Sequence, residues 1–381
     1  MTEKVMSHER SKVALYLPSL RGGGAERVMV TLANGFAERG YVVDLVLARA
    51  EGPYLPEVAS GVRIVDLGAR GVVASLPGLV RYLRRERPGA MLSALNHANV
   101  IALLARRFAG VPTRLAVSEH AHLSLSLSVE PSRRGWLMPW FMRHTYPWVD
   151  GVVAVSGGVA DDLAQAIGLP RQRIAVVYNP VVTDNMLASA EAPLDHPWFA
   201  PGEPPVVLGV GRLTAQKDFG ILLRAFAKLR AQRPARLMIL GESELRPALE
   251  ALARQLGIDA DVALPGFTDN PYAYMRRAAL FVLSSRFEGF GNVLAEAMAC
   301  GTPVVSTDCP SGPAEILEGG KWGRLVPVGD VEALAEAMLA TLTETRHPNV
   351  ARRAANFGVD QAVDGYLRVL LGDDGAQGKT P

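Results

Sequence analysis

The sequence predicts an α/β protein in which two doubly wound parallel sheets form two domains. Short apolar runs alternate with amphipathic, helix-length stretches along most of the 381 residues. The alternation pauses over the Pro- and Ala-rich segment 185–205, which is expected to be a linker, and then starts again. A chain of this length also exceeds what one ordinary core supports, so two domains of roughly 150–200 residues are expected.

The first series of elements opens with an apolar run, a glycine-rich turn and an amphipathic stretch, which predict a strand, a turn and a helix. The predicted strands of this half lie at 12–18, 42–48, 63–67, 91–95, 113–118 and 151–156. The predicted helices lie at 28–40, 76–87, 100–108 and 159–168. The helix at 76–87 ends before Pro88, which cannot continue it.

The second series repeats this pattern. Its predicted strands lie at 206–210, 236–240, 262–264, 280–283 and 304–306, and its predicted helices at 219–233, 244–256, 271–278, 292–299 and 331–343. We therefore expect two Rossmann-like domains, residues 1–187 and 188–359, and a C-terminal helix within 360–381 that packs back on the first domain. Ligands of such sheets bind at the carboxyl ends of the strands, so two substrates would meet in a central cleft that the domains face.

Composition limits the class of protein. The net charge of +2, with 20% charged residues, excludes a disordered or polyanion-binding chain as a whole. Residues 1–185 nevertheless carry 21 Lys and Arg against 15 Asp and Glu, which suits an anionic partner. Cys300 and Cys309 match neither a disulfide framework nor a metal site, as expected of a cytoplasmic protein. We expect neither a signal peptide nor a membrane span, because the polar segment 1–12 lacks an apolar core and no uncharged apolar run reaches membrane-spanning length.

The strongest chemical motif is EGFGNVLAE, which runs from Glu288 to Glu296. It follows a predicted strand and opens a predicted helix, whose N-terminus offers backbone N–H groups and a positive dipole end to an anion. Glu288 and Glu296 would bind hydroxyl groups on either side of that anion. Two glutamates at this spacing also fit solvated charges, but the strand–loop–helix setting favours a binding site.

A second motif, GRLTAQKD, follows the strand predicted at 206–210. It brings Arg212 and Lys217 to the carboxyl end of that strand, where a guanidinium fork and an ammonium group suit a diphosphate. Alone, this motif would fit two solvated cations equally well. Beside EGFGNVLAE, we favour phosphate binding.

The first half contributes a glycine-rich turn and a histidine. Gly23 and Gly24 lie in RGGGAER, where small residues let backbone amides approach a phosphate or an acceptor, although a flexible turn explains them as well. The turn lacks the G-x-G-x-x-G spacing of a dinucleotide site. His120 follows the strand at 113–118, where its imidazole suits proton transfer near neutral pH, with a structural role as the alternative.

Together these motifs resemble those of the retaining glycosyltransferases of family 4, which have the GT-B fold and include bacterial polysaccharide and lipid-linked oligosaccharide transferases. The resemblance spans nearly the whole chain, through RGGGAERV, SEH at 118–120, GRLTAQKD, PGFTDN at 265–270 and EGFGNVLAEAMACGTPVV at 288–305. The run DCPSGPAEIL at 308–317 further resembles transferases that move N-acetylated hexosamines onto undecaprenyl-diphosphate-linked sugars.

The resemblance implies a role for each matching residue. Arg212 and Lys217 would bind the donor diphosphate, Glu288 the donor sugar and Glu296 the ribose. His120 would contact the donor sugar near the reacting carbon. The other donor-binding residues would be Gly23, Gly24, Asn292 and Val293 near the phosphates, and Gly266 and Phe267 near the base. The resemblance implies no metal and no cofactor other than the nucleotide-sugar co-substrate.

The expected function is retaining transfer of a hexose or N-acetylhexosamine, preferably from a UDP-linked donor, in cell-envelope glycan synthesis. The acceptor would be a saccharide or a polyprenyl-diphosphate-linked saccharide, and GDP-mannose and UDP-glucose remain open as donors. The alternatives are a sugar-nucleotide 2-epimerase on a similar scaffold and a non-catalytic sugar-nucleotide-binding protein. A NAD-dependent dehydrogenase is disfavoured because the dinucleotide fingerprint is missing.

The segment 131–148, PSRRGWLMPWFMRHTYPW, interleaves basic and aromatic residues, and a second basic cluster lies on the helix predicted at 76–87. Such side chains suit lipid headgroups, so we expect the first domain to dock on an anionic membrane, at the inner face of the cytoplasmic membrane. Nucleic acid is not an expected partner, because no nucleic-acid-binding signature accompanies them. A core stripe with solvated arginines is the alternative.

Overall fold

A computed structural model describes residues 12–129 and 133–372, without the side chains of 127–129 and 133–136. The chain divides into two compact units. Unit 1 consists of the described parts of Met1–Val155, Val159–Pro180 and Val359–Pro381, and unit 2 of Ser156–Gly158 and Val181–Gly358.

Each unit is built on one sheet, with seven strands in unit 1 and six in unit 2, and the strand pairs recorded within the described residues are parallel. The strands are β1 (Lys12–Leu17), β2 (Val42–Leu47), β3 (Val62–Asp66), β4 (Ala90–Ala94), β5 (Arg114–Glu119), β6 (Gly151–Ala154), β7 (Ile174–Val176), β8 (Val206–Val210), β9 (Arg236–Leu240), β10 (Val262–Gly266), β11 (Leu280–Leu283), β12 (Val304–Thr307) and β13 (Arg324–Val326).

Helices connect these strands and cover the sheets. They are α1 (Gly24–Glu38), α2 (Leu76–Glu86), α3 (Asn96–Ala109), α4 (Leu123–Val129), α5 (Arg133–Thr145), α6 (Gly157–Ile167), α7 (Asp184–Ala190), α8 (Phe219–Arg230), α9 (Arg246–Gln255), α10 (Pro271–Arg277), α11 (Asn292–Ala299), α12 (Pro313–Ile316), α13 (Val331–Thr343), α14 (Val350–Ala354) and α15 (Val359–Leu371). Of the helices in the described ranges, none combines the length and the apolar character needed to cross a bilayer.

Both sheets are doubly wound. The strand order is β3-β2-β1-β4-β5-β6-β7 in unit 1 and β10-β9-β8-β11-β12-β13 in unit 2. The order reverses between β1 and β4 and between β8 and β11, and ligands of such sheets bind at the carboxyl ends of the strands at this switch point. The predicted architecture of two doubly wound parallel sheets is confirmed.

The central strands are buried on both faces, which explains why they read as continuous apolar runs rather than as alternating ones. Val13–Leu17 of β1 and Leu237–Ile239 of β9 are fully buried. Within unit 1, helix α15 packs against β4, β5 and β6, where Tyr366 Oη lies 2.8 Å from Ser118 Oγ. The core of unit 1 therefore includes residues from the far C-terminal part of the chain.

The segment 185–205, predicted as a linker, contains most of helix α7, which begins at Asp184. Thr183 caps α7 by accepting a hydrogen bond from Met186 N at 3.1 Å. Asn270 Nδ2 also donates to Ser189 O at 2.8 Å, which ties α7 to the start of α10 within unit 2. A side-chain cap and a tertiary hydrogen bond stabilise a helix too short to show a clear sequence period.

Candidate functional site

At the switch point of the second sheet, the loops that follow β8 and β11 carry the charged residues of the two motifs. Lys217 Nζ donates a hydrogen bond to Glu288 Oε1 at 2.6 Å. Two further hydrogen bonds join the loops: Arg286 N donates to the backbone Gln216 O at 2.8 Å, and the Ser284 side-chain Oγ donates to the backbone Lys217 O at 2.8 Å. The structure therefore brings Lys217 and Glu288, singled out from separate motifs, into direct contact.

The start of the β8 loop is fixed by a close backbone approach. Gly241, which follows β9, has φ +140°, and a Cβ built there would lie 2.0 Å from Gly211 O. Gly211 N in turn donates to Leu240 O at 2.9 Å. Because only glycine fits at Gly241, this contact fixes where the loop with Arg212 and Lys217 leaves the sheet.

The Lys217–Glu288 pair is largely withdrawn from solvent, with side chains 15% and 8% exposed. Ser285 Oγ donates a second hydrogen bond to Glu288 Oε1 at 2.6 Å. Charges buried to this degree need such bonds, because each loses its hydration. The arrangement offers a positioned ammonium group for phosphate and a positioned carboxylate for sugar hydroxyls.

Helix α11 begins beside this pair. Gly291, with φ +98°, precedes the helix and supplies no side-chain cap. Asn292 and Val293 are the first residues of the helix, and Glu296 is buried one turn later. A helix N-terminus attracts anions through its amides and its dipole, so α11 and Lys217 present positive potential at the same switch point.

Other predicted donor-binding residues lie along the same carboxyl edge of the sheet. Arg212 is exposed, and its charge adds a smaller contribution to the hydrogen bonds from the Ser243 hydroxyl and the Glu244 backbone, which hold the pKa of Glu244 below its usual range. Gly266 ends β10, two strands from β8 in the sheet order. Phe267 follows it and is 77% exposed, so its ring is available to a ligand.

In unit 1, Gly23 and Gly24 lie at the start of α1. Gly23 takes the N-cap position with φ −84° and ψ 162°, and Gly24 is the first helical residue. Together they set the end of the loop that follows β1, at the switch point of the first sheet.

His120 lies immediately after β5 and is half-buried. Its Nε2 lies 2.9 Å from Ser118 Oγ, and its Nδ1 has no hydrogen-bond partner among the described residues. Burial lowers the pKa of His120 to about 4. The imidazole is therefore neutral near pH 7 and can accept or donate a single hydrogen bond through Nδ1, depending on its tautomer.

Sequence reasoning missed a buried carboxylate next to His120. Glu119 accepts hydrogen bonds from Tyr146 Oη and from Asn99 Nδ2, the latter at 2.8 Å. Burial raises the pKa of Glu119 to about 7. The SEH motif contains this glutamate, but nothing in the local spacing shows that Tyr146 and Asn99 reach it.

The basic and aromatic segment of unit 1 is partly exposed. Trp140 and Phe141 on α5 are 56% and 41% exposed, and Arg143 is exposed beside them. Tyr146, by contrast, is buried, so the expectation that it faces a membrane is wrong, because its hydroxyl is bonded to Glu119. The side chains of Arg133, Arg134 and Trp136 lie outside the described residues.

The second basic cluster borders a groove of about 670 Å³ between α2 and the end of α3. The apolar lining comes from Leu76, Pro77, Val80 and Phe108, and the basic lining from Arg81, Arg84 and Arg85. Arg84 Nη2 donates to Phe108 O at 2.7 Å, which satisfies a carbonyl at the end of α3. Arg81 is exposed at the rim.

Comparison with known proteins matches both units. The model described as Glycosyltransferase Family 4 matches residues 22–185, and the model described as Glycosyl transferases group 1 matches residues 204–344. A relative from Campylobacter jejuni, N-acetylgalactosamine-N,N'-diacetylbacillosaminyl-diphospho-undecaprenol 4-alpha-N-acetylgalactosaminyltransferase, is 30% identical over 374 residues, 95% of this chain and 100% of the relative. The lipopolysaccharide core biosynthesis glycosyltransferase LpsE of Rhizobium meliloti is 28% identical over 369 residues, 92% of this chain and 96% of LpsE.

Solved structures share the fold. A glycosyltransferase from Rickettsia africae superposes with a TM-score of 0.80 at 15% identity, over 98% of this chain and 100% of that structure. Anabaena HepE in complex with UDP and glucose superposes with a TM-score of 0.75 at 21% identity, over 95% of this chain and 100% of HepE. The predicted GT-B fold is confirmed.

Proposed function

Because the chain belongs to the family 4 glycosyltransferases, we propose that it transfers a hexose or N-acetylhexosamine from a nucleotide diphosphate sugar to a saccharide or lipid-linked saccharide in cell-envelope glycan synthesis. The observation that carries this proposal is the buried Lys217–Glu288 pair beside the N-terminus of α11. A cation and a helix N-terminus suit a diphosphate, and the adjacent carboxylate suits sugar hydroxyls.

In the proposed reaction, the bond between the anomeric carbon and the diphosphate oxygen breaks, and its electron pair leaves with the diphosphate. Lys217, Arg212 and the amide end of α11 stabilise the charge that develops there. The acceptor oxygen forms the new bond to the anomeric carbon on the same face, with retention, and its proton passes to the leaving phosphate oxygen. We propose that no metal is needed, since cationic side chains and the helix supply the positive charge.

Glu288 would accept hydrogen bonds from donor-sugar hydroxyls, and Glu296 from the ribose. In unit 1, the neutral His120 would bind a sugar group through Nδ1, the nitrogen that has no partner among the described residues. The glycine-rich turn at Gly23 and Gly24 would let backbone amides approach a phosphate.

A UDP-linked N-acetylhexosamine is the preferred donor. Support comes from the DCPSGPAEIL run and from two comparisons: the Campylobacter jejuni relative is named for N-acetylgalactosamine transfer onto a diphospho-undecaprenol-linked sugar, and HepE was solved with UDP and glucose. Pocket shape decides which hydroxyl pattern fits, so UDP-glucose and GDP-mannose are the competing outcomes of the test.

The test is transfer itself. The protein is incubated with each nucleotide sugar, with and without an undecaprenyl-diphosphate-linked disaccharide and with and without EDTA, and the product is analysed by mass spectrometry and by NMR of its anomeric proton. We expect the acceptor glycan to be extended by one sugar that keeps the donor's anomeric configuration. We also expect this product to form when EDTA has removed free metal ions. A donor that is epimerised or hydrolysed equally fast without acceptor would instead support the epimerase-like alternative.

We further propose that the protein works in the cytoplasm, peripherally on the inner face of the membrane. The exposed rings of Trp140 and Phe141, Arg143 beside them, and the arginine-bordered groove between α2 and α3 together offer apolar surface and positive charge. Anionic headgroups and the upper acyl region complement such a surface, and a lipid-linked acceptor is anchored there.

A further inference from the structure

We propose that Ser285 is a positioning residue that holds the Glu288 carboxylate in place when the donor diphosphate engages Lys217. This inference rests on the proposed function, because it assigns a role within the same site. Neither the motif spacing nor the comparisons point to Ser285. The hydrogen bond from its hydroxyl to Glu288 does.

Ser285 lies just after β11 and is fully buried. Its Oγ donates to Glu288 Oε1 at 2.6 Å, and Lys217 Nζ donates to the same oxygen at 2.6 Å. Within residues 12–129 and 133–372, the hydrogen bonds recorded to this carboxylate end on Oε1. Oε2 is therefore the oxygen that remains to accept a substrate hydroxyl.

Donor binding changes the demands on Lys217. Before the donor binds, the Lys217 ammonium group donates to Glu288. Once the donor is bound, it also donates to the diphosphate, which carries more negative charge than the carboxylate, so its bond to Glu288 weakens or lengthens. The Glu288 side chain is only 8% exposed, so solvent cannot replace the lost partner. The Ser285 hydroxyl does not touch the diphosphate in this account, so it keeps Oε1 fixed and Oε2 directed at the sugar.

The hydroxyl can be removed without removing the backbone hydrogen bond of Ser285. The recorded hydrogen bond of Ser285 Oγ goes to Glu288, whereas its backbone carbonyl accepts a separate bond from Thr307 Oγ1 at 2.6 Å. A matched control lies on the neighbouring strand β12: Ser306 is also fully buried, and its Oγ donates to a backbone carbonyl, Thr307 O, at 2.8 Å.

The experiment compares Ser285→Ala, Ser285→Cys and Ser306→Ala with the wild type. Affinities for UDP and for UDP-N-acetylgalactosamine are measured by calorimetry, kcat and KM by transfer, and Tm for each variant. Ser285→Ala is expected to reduce kcat/KM at least about tenfold and to weaken UDP-N-acetylgalactosamine binding while UDP binding stays unchanged, because the lost bond orients the group that meets the sugar. Ser285→Cys, a weaker donor of similar size, should fall between Ala and Ser.

The outcomes separate the two proposals. If Ser285→Ala matches Ser306→Ala in kcat/KM and in the ratio of the two affinities, the positioning role is wrong although the enzyme is a transferase. If Ser285→Ala is poorly folded, the kinetics of Ser285→Cys are used instead. Wild-type kcat and KM in Ser285→Cys would then also contradict the positioning role of Ser285. If the wild type itself neither binds UDP nor transfers a sugar from UDP-N-acetylgalactosamine, the UDP-linked donor is wrong and the inference falls with it.

Discussion

Two buried carboxylates in this protein are held in opposite ways. Glu288 is paired with the Lys217 ammonium group, whereas Glu119 takes its hydrogen bonds from the neutral Tyr146 and Asn99. Neutral donors offset only part of the cost of burying a charge, and the pKa of Glu119 rises to about 7 as a result. The same residue type is therefore bonded to a charged partner in one unit and to neutral partners in the other, and burial makes Glu119 titrate near pH 7.

Glu119→Gln should stabilise the protein at high pH. The pKa of Glu119 is about 7 in the folded state against 4.5 ordinarily. The folded state thus binds the proton more tightly, and stability is lost as pH rises from 4.5 through 7. Glutamine keeps an acceptor for Tyr146 and Asn99 without this loss, so the Tm gain over the wild type should grow from pH 5 to pH 8, by at least roughly 2–4 °C.

Differential scanning fluorimetry across that pH range measures the effect. The control is Glu336→Gln, at an exposed glutamate of α13, which measures how the loss of a surface carboxylate changes Tm across the same pH range. A Tm difference for Glu119→Gln that stays constant or shrinks as pH rises would contradict the titration of Glu119.

Among individual residues, the motifs placed Lys217 and Glu288 in loops at strand ends. This was possible because hydropathy and spacing show where a strand ends and which charged residues follow it. Ser285, Asn99 and Tyr146 were not found as functional contacts. Their roles depend on rotamers and on neighbours far apart in sequence, such as the contact between Tyr146 and Glu119. The roles of the predicted site residues remain predictions.

Among elements, the long buried strands and amphipathic helices were predictable because periodicity and apolar runs report burial directly. The edge strands β7 and β13, with three residues each, were not, because so short a run has no distinguishable period. Helix α5 contains Pro139 and an irregular mixture of basic and aromatic residues, so its pattern did not predict a helix.

Helix α5 is the element on which the membrane proposal depends. The double variant Trp140→Ser, Phe141→Ser should reduce flotation with phosphatidylglycerol-containing vesicles about tenfold or more, since burying each ring contributes about 1.5–3 kcal/mol. Because both rings are exposed, Tm should change little. Phe267→Ser, which removes an exposed ring from unit 2, is the control and should leave flotation unchanged.

The membrane proposal would be contradicted if the double variant floated with the vesicles as well as the wild type does. It would also be contradicted if the wild type bound neutral phosphatidylcholine vesicles as well as it binds phosphatidylglycerol-containing ones.

Over the whole molecule, alternation of strands and helices predicted two doubly wound sheets, and the strand orders agree with that prediction. Alternation alone does not specify which strands are neighbours. The switch point between β8 and β11, where Lys217 meets Glu288, became visible only with the structure. Topology thus explains why two motifs about 70 residues apart lie in contact at one place.

The proposed binding of the donor diphosphate by Lys217 can be measured through the affinity of Lys217→Gln for nucleoside diphosphates. Glutamine can still donate to Glu288, so the buried carboxylate keeps a partner while the positive charge is lost. Lys228→Gln, at an exposed lysine paired with Glu332 on the same unit, is the matched control.

Calorimetry is run with whichever of UDP, GDP and ADP the wild type binds. Lys217→Gln is expected to bind this nucleoside diphosphate at least about tenfold more weakly than the wild type, since a charged hydrogen bond contributes about 1.5–3 kcal/mol, and Lys228→Gln is expected to bind it as the wild type does. Wild-type affinity in Lys217→Gln would show that Lys217 does not bind the diphosphate.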